Sequence, residues 1–294
     1  MAENKQRIQG VLAAMGWNES DFSLEPQALG STNTSYLCTY CGDRYVLRLG
    51  SEHPGLLAIN RKAEEAALRV VSAIGCGAEL IYYDAVNGNM LTRYIEGREM
   101  AGKDFHDPQL FLQGIRQLQN LHQQKTDYRF NMYEDIERKL ADIRENGIPL
   151  HPDFEKAYAY YSQIRDRNPL ETSPHIGLCH GDPFANNFVL DTAGNVHLLD
   201  YEYAGMSDVF YDLACFSSGW SKEDREKLLE LYFGECTPKL LQKLYDFSVI
   251  CILWNGTWAY LKSCDVSPDV FDYVDYGHQH VDALLLFCRE NDLA

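Results

Sequence analysis

His180-Gly181-Asp182-Pro183-Phe184-Ala185-Asn186-Asn187, followed thirteen residues later by Asp200, is the stretch from which the rest of the chain can be read. Its spacing is His-x-Asp-x4-Asn, then a second Asp. Phosphoryl transfer needs one group to orient or deprotonate an attacking hydroxyl, and oxygen ligands for magnesium. Asp182 suits the first task, and Asn187 and Asp200 suit the second. Ile176, Leu178 and Cys179 lead into the string, and Phe188-Val189-Leu190 leaves it. Asp191 to Asn195 has turn composition, and a second apolar run, Val196 to Leu199, ends at Asp200. These runs predict a hairpin with the functional side chains gathered at its mouth. The plain alternative, polar hairpin ends that only cap turns, requires four residues and their spacings to coincide by accident.

The surrounding composition sets bounds. The chain has 294 residues, 46% of them hydrophobic, enough for one large domain or two lobes. No apolar run approaches the roughly 20 residues needed to span a bilayer, and Met1 to Arg7 carries no apolar leader. A cytoplasmic protein without stable membrane insertion is expected. The net charge of −17 argues against nucleic acid as a partner and tolerates a cationic substrate, although solubility alone would also account for it. Nine cysteines are scattered without a framework. The lone Cys38-x-x-Cys41 beside Gly42-Asp43 reads as hairpin sequence, and the usage suits a reducing compartment.

Working outward, Ile8, Val11, Leu12 and Met15 recur at helical spacing in residues 2–15. Strands are expected at 36–40 and 44–48 and again at 79–83 and 89–93, with a helix carrying Ile59, Ala63, Ala66, Ala67 and Val70 between the pairs. From about residue 107 the period becomes helical, through 132–166 and, after Asp212, near 222–233, 238–262 and 269–289. The shift falls at Ile95-Glu96-Gly97. It predicts an α+β, two-lobed chain: residues 1–95 as a small nucleotide-binding lobe of antiparallel sheet plus helix, and 96–294 as a larger, mainly helical lobe with the catalytic loop, metal site and substrate pocket.

Several further residues carry chemistry. In Leu29-Gly30-Ser31-Thr32-Asn33 a glycine lets backbone approach a phosphate, and Ser31, Thr32 and Asn33 can donate to its oxygens; a polar hairpin loop would look the same. Arg48 ends an apolar strand and can clamp nucleotide phosphates if a carboxylate fixes it, with Glu64 the first choice of partner and Glu65 the second. Trp254 and Trp258 share a helix face, and Phe271, Tyr273 and Tyr276 follow. Aromatic faces around a ligand cation stabilise it by roughly 0.5–2 kcal/mol each, while the bland reading of the same stripe is core. His180 is expected to hold its loop through hydrogen bonds, and His122 to be structural.

His180-x-Asp182-x4-Asn187 with Leu198-Leu199-Asp200-Tyr201-Glu202-Tyr203-Ala204-Gly205 resembles the choline/ethanolamine kinase branch of the aminoglycoside-phosphotransferase-like kinases, the bacterial choline kinases most of all. The resemblance runs over nearly the whole chain. It implies a protein-kinase-like two-lobed fold and transfer of the γ-phosphoryl group of ATP, with Mg²⁺, to a small amino alcohol. It makes Asp182 the catalytic Asp, Asn187 and Asp200 the metal ligands, and Glu202 a further acid at the metal and phosphate site. It puts Arg48 and Glu64 at the phosphates and Arg93-Tyr94-Ile95 at the adenine-facing link, and has Asp212 tie down the catalytic loop. Trp258 and Tyr276 match aromatic positions of the choline pocket. Asn255 stands where choline kinases often carry Trp, and Gly219 where a carboxylate is frequent; Trp254, Trp220, Tyr203 or Asp275 could compensate. Ethanolamine, thiamine or an aminoglycoside remain as other acceptors, and a nucleotide-binding pseudokinase as a non-enzymatic alternative.

Overall fold

Capping and alternating burial explain the first elements of the computed structural model, which describes residues 2–27, 33–51, 57 and 59–293. A helix, α1 (Ala2–Met15), precedes β1 (Phe22–Gln27), β2 (Thr34–Tyr40) and β3 (Asp43–Leu49). The helix α2 (Arg61–Ile74) starts where the Asn60 side chain accepts from the Lys62 and Ala63 N–H groups, and stops at Gly75, whose φ of 69° suits glycine. The strands β4 (Leu80–Asp84) and β5 (Asn89–Arg93) follow. These five strands form one antiparallel sheet in the order β1-β2-β3-β5-β4. Val11 of α1 packs with Cys38, Leu47, Leu49 and Leu91 in one buried cluster. Ala67, Leu68 and Val71 of α2 join a second cluster that continues into the rest of the molecule.

Beyond Tyr94–Glu96 a short strand, β6 (Gly97–Glu99), leads to α3 (Pro108–His122), capped by Asp107 with proline at its first position. The helical stretch expected over 132–166 is two helices, α4 (Met132–Glu145) and α5 (Phe154–Arg167), parted by a segment holding Gly147, Pro149 and Pro152. Next come β7 (Ile176–Cys179), β8 (Phe188–Asp191), β9 (Val196–Leu198) and β10 (Gly205–Asp208), then α6 (Val209–Phe216), α7 (Lys222–Phe233), α8 (Pro238–Lys262) and α9 (Tyr273–Glu290). The expected hairpin is β8–β9, with Phe188 opposite Leu198. β7 stands apart from it and pairs with β10, and β6 adds to β8, two pairings that local patterning did not announce. The result is a two-lobed, protein-kinase-like α+β fold. No helix among the described residues is long and apolar enough to cross a membrane.

Candidate active site

The loop after β7 is held in place from below. Asp212 on α6 accepts from the backbone N–H groups of His180 (2.6 Å) and Gly181 (2.9 Å), and its Oδ2 also lies 3.0 Å from His122 Nε2. Gly181 has φ +84°, and a Cβ there would sit 2.6 Å from the Tyr203 carbonyl, so this turn admits only glycine. The His180 ring is buried and works as a strut. Its Nδ1 accepts the Asp182 N–H at 3.1 Å, so Nε2 carries the proton and donates to the Leu199 carbonyl at 2.8 Å. Burial lowers the His180 pKa, which keeps this neutral tautomer in place. The loop that carries Asp182 and the strand end before Asp200 are thereby tied together, and the Leu199 N–H adds a 2.9 Å bond to the Asn187 carbonyl.

At the mouth, Asn187 Nδ2 donates to the Asp182 carbonyl (2.7 Å) and to Asp182 Oδ2 (2.9 Å). The amide is therefore oriented with Oδ1 away from Asp182, where it receives only a long 3.4 Å contact from Asn186. Asp200 adopts φ +69°, an uncommon conformation for a non-glycine residue. From the other lobe Arg48 Nη1 lies 2.5 Å from Glu64 Oε1 and 3.7 Å from Asp200 Oδ1. Glu64 is fully buried and also receives Arg61 (2.9 Å) and the Tyr83 hydroxyl (2.5 Å). Burial alone would raise the Glu64 pKa, but Arg48 and Arg61 outweigh it and hold it low. Asn33 Nδ2 donates to Glu202 Oε2 at 2.8 Å, and Asn33 Oδ1 accepts the Ser51 N–H at 3.0 Å. Ser31 and Thr32 lie outside the described residues.

Asp182, Asp200 and Glu202 line the same cavity, within reach of one another's charge. Burial and then Asp200 push Asp182 well above the usual carboxylate range. Burial and Asp200 push Glu202 up to about 8 against the pull of Arg48. Burial in the cleft also raises Asp200, again opposed by Arg48, although solvent reaches 44% of its side chain. Carboxylate oxygens and the Asn187 amide oxygen are the donor types a hard divalent cation takes, and such a cation would displace the protons that burial favours.

These groups open into one cavity of about 1200 Å³. Asn33, Arg48 and the 93–95 link line one arm. The Arg93 and Tyr94 N–H groups bond to Glu79 and Arg44 carbonyls, whereas Ile95 makes no backbone hydrogen bond among the described residues. The Arg93 side chain turns outward to Glu79 (3.1 Å) and Asp43 (3.3 Å). The other arm is walled by Tyr203, Trp220, Trp254, Trp258 and Tyr276. They are not equivalent. Trp254 is buried: its indole N–H donates to Asp135 at 2.6 Å, and the Lys139 ammonium lies 3.3 Å from its ring centroid. One face of that indole already holds a cation from the chain itself. Trp258 and Trp220 are half-buried, and Tyr276 is 37% exposed. Sequence reasoning missed Lys139, Asp135 and Arg61. Lys139 and Asp135 form an i,i+4 pair on α4 that looks like an ordinary surface pair, and only the packing of α4 beneath α8 buries the lysine.

Residues 23–235 match the phosphotransferase enzyme family. Protein LicA of Haemophilus influenzae is 26% identical over 214 residues, 70% of this chain and 61% of that protein, so the chain spans less than two thirds of that relative's length. Human ethanolamine kinase 1 is 25% identical over 313 residues, covering 89% of this chain and 66% of that protein. The solved structure of choline kinase LicA from Streptococcus pneumoniae superposes with a TM-score of 0.79 at 20% identity, covering 97% of this chain and 99% of the other, a likeness of fold.

Proposed function

Because the chain belongs to the phosphotransferase enzyme family, we propose that it is a kinase that moves the γ-phosphoryl group of ATP to the hydroxyl of choline or ethanolamine. The observation that carries this reading is the meeting of Asp182 with Asn187 and Asp200 at the point where a polar arm of the cleft joins an aromatic one. ATP would lie in the polar arm, its adenine edge against the free backbone groups of Ile95 and its phosphates near Asn33 and Arg48. Asn187 Oδ1 and Asp200 would hold Mg²⁺, with Glu202 beside them. The bound ion supplies neutralisation of charge on the transferring phosphoryl group. Asp182, steadied by Asn187, orients the acceptor hydroxyl for in-line attack and takes its proton. Arg48, locked by Glu64, needs no rearrangement to meet the developing charge. Trp258, Tyr276 and Trp220 offer ring faces to the acceptor's cationic nitrogen. A larger cationic alcohol such as an aminoglycoside is the second reading, favoured by the length of the acceptor arm. A cytoplasmic setting for this reaction is part of the proposal, since nine cysteines without a disulfide framework suit a reducing compartment.

The test is ADP release measured side by side with choline, ethanolamine, thiamine and an aminoglycoside. The expected result is turnover with choline or ethanolamine well above the rest. Best turnover with an aminoglycoside would move the assignment to the second reading, and no turnover on any of the four would defeat the first.

A further inference from the structure

The acceptor arm does not end at its aromatic wall. Tyr245, Ser248, Cys251, Asn255 and Trp258 line it from α8 at spacings of three and four, one face of the helix. Tyr276, His280, Ala283, Phe287 and Glu290 do the same on α9. The groove between them runs from Trp258 to Ser248, about 15 Å at 1.5 Å per residue. That exceeds what a small amino alcohol needs.

At its far end lies Arg225, 4% exposed and lining the same cavity. Two of its five N–H donors have protein acceptors: Nε bonds the Trp220 carbonyl at 3.3 Å and Nη1 bonds Ser248 Oγ at 2.7 Å. The Ser248 proton goes to the Leu244 carbonyl, so the hydroxyl serves Arg225 as an acceptor. Nη2 has no acceptor, and no carboxylate lies within 4.0 Å of the guanidinium among the described residues. Its other neighbours are the rings of Phe287 (5.3 Å) and Tyr245 (5.8 Å). Buried charges are ordinarily paired, and in a chain of net charge −17 an unpaired buried arginine is conspicuous. Burial lowers its pKa, and no carboxylate contributes to offset this. The exposed Lys222 and Glu290 are the charged side chains that share this end of the lining.

We propose that the α8–α9 groove is an anion-accepting extension of the acceptor arm, in which Arg225 takes a carboxylate or phosphate group of the ligand. A guanidinium fork with free donors matches either group. The extension rests on the cleft and on Arg225, not on phosphoryl transfer, and its binding is read without nucleotide. A failed kinase assay therefore leaves it standing, and its own failure leaves the kinase reading intact.

Inorganic phosphate and succinate are titrated separately into the full chain by calorimetry at low salt. Saturable binding is expected, the tighter of the two naming the group preferred. Arg225→Met should weaken binding at least tenfold. Glu290→Gln, at an exposed position that does not threaten folding, should tighten it about two- to threefold by removing a like charge. No saturable binding, or binding unchanged in a folded Arg225→Met protein, would overturn the proposal. If Arg225→Met does not fold, an unchanged affinity in Glu290→Gln overturns it instead.

Discussion

At the phosphoryl end of the cleft, side chains from across the chain are stitched by charge. Asn33 reaches Glu202, Arg48 bridges Glu64 and Asp200, and Asp212 clamps the loop that carries Asp182. At the acceptor end, rings meet mostly edge-on or tilted. Trp258 lies T-shaped to Tyr273, Tyr276 to His280, and Trp220 packs on Phe111 and Phe216. Charge-assisted bonds fix atoms to within tenths of an ångström, as a transition state demands. Ring faces tolerate small shifts of a bound cation. On the proposed function, catalysis and acceptor choice would rest on two kinds of construction, and the second could change without disturbing the first.

Substitutions at the two ends should therefore fail differently. Asp182→Asn should lower kcat by roughly 10³-fold, within the range for losing a positioned base, with nucleotide affinity nearly unchanged; steady-state kinetics and nucleotide titration separate the two. Glu64→Ala leaves Arg48 and Arg61 buried without their shared carboxylate and should cost roughly 3–5 kcal/mol of stability, read by denaturant unfolding. A loss below about 1 kcal/mol would show the bridge is not the stitch described. Trp258→Ala should raise KM for choline about 5- to 30-fold, equivalent to roughly 1–2 kcal/mol of cation–π contact, with KM for ATP unmoved. Equal changes in both would erase the division between the ends.

The smallest effect concerns pH. Glu202, at about 8, keeps a proton in the folded state that the unfolded chain releases near pH 4.3. The native protein therefore loses stability as pH rises between those values. Glu202→Gln should raise the metal-free Tm more at pH 8 than at pH 5, because the cost of the buried carboxyl grows over that interval. A uniform shift at both values would point to packing.

The difference between the ends also governs what could be read from residues alone. The string His180 to Asn187 is contiguous and its second Asp follows one hairpin later, so spacing exposed it, and Glu64 was legible as a carboxylate on the helix that follows Arg48. The helices over 222–233 and 238–262 were legible because apolar period and caps agree; the last begins at Tyr273, where Asp272 caps it, rather than at 269. Pairings between distant short strands, β6 with β8 and β7 with β10, carry no local signal. Nor does an aromatic stripe say which ring is core. Trp254 and Trp258 lie one turn apart, yet the first is sealed against Asp135 and Lys139 while the second stays half-open.

The central claim is transfer from ATP to an alcohol at Asp182. ³¹P NMR of the enzyme with Mg²⁺, ATP and choline or ethanolamine follows the γ-phosphoryl group itself. The account predicts that the ATP γ resonance is replaced by that of a phosphomonoester of the amino alcohol, in step with ADP. Inorganic phosphate as the only product, or an unchanged ATP spectrum with both acceptors, would contradict it.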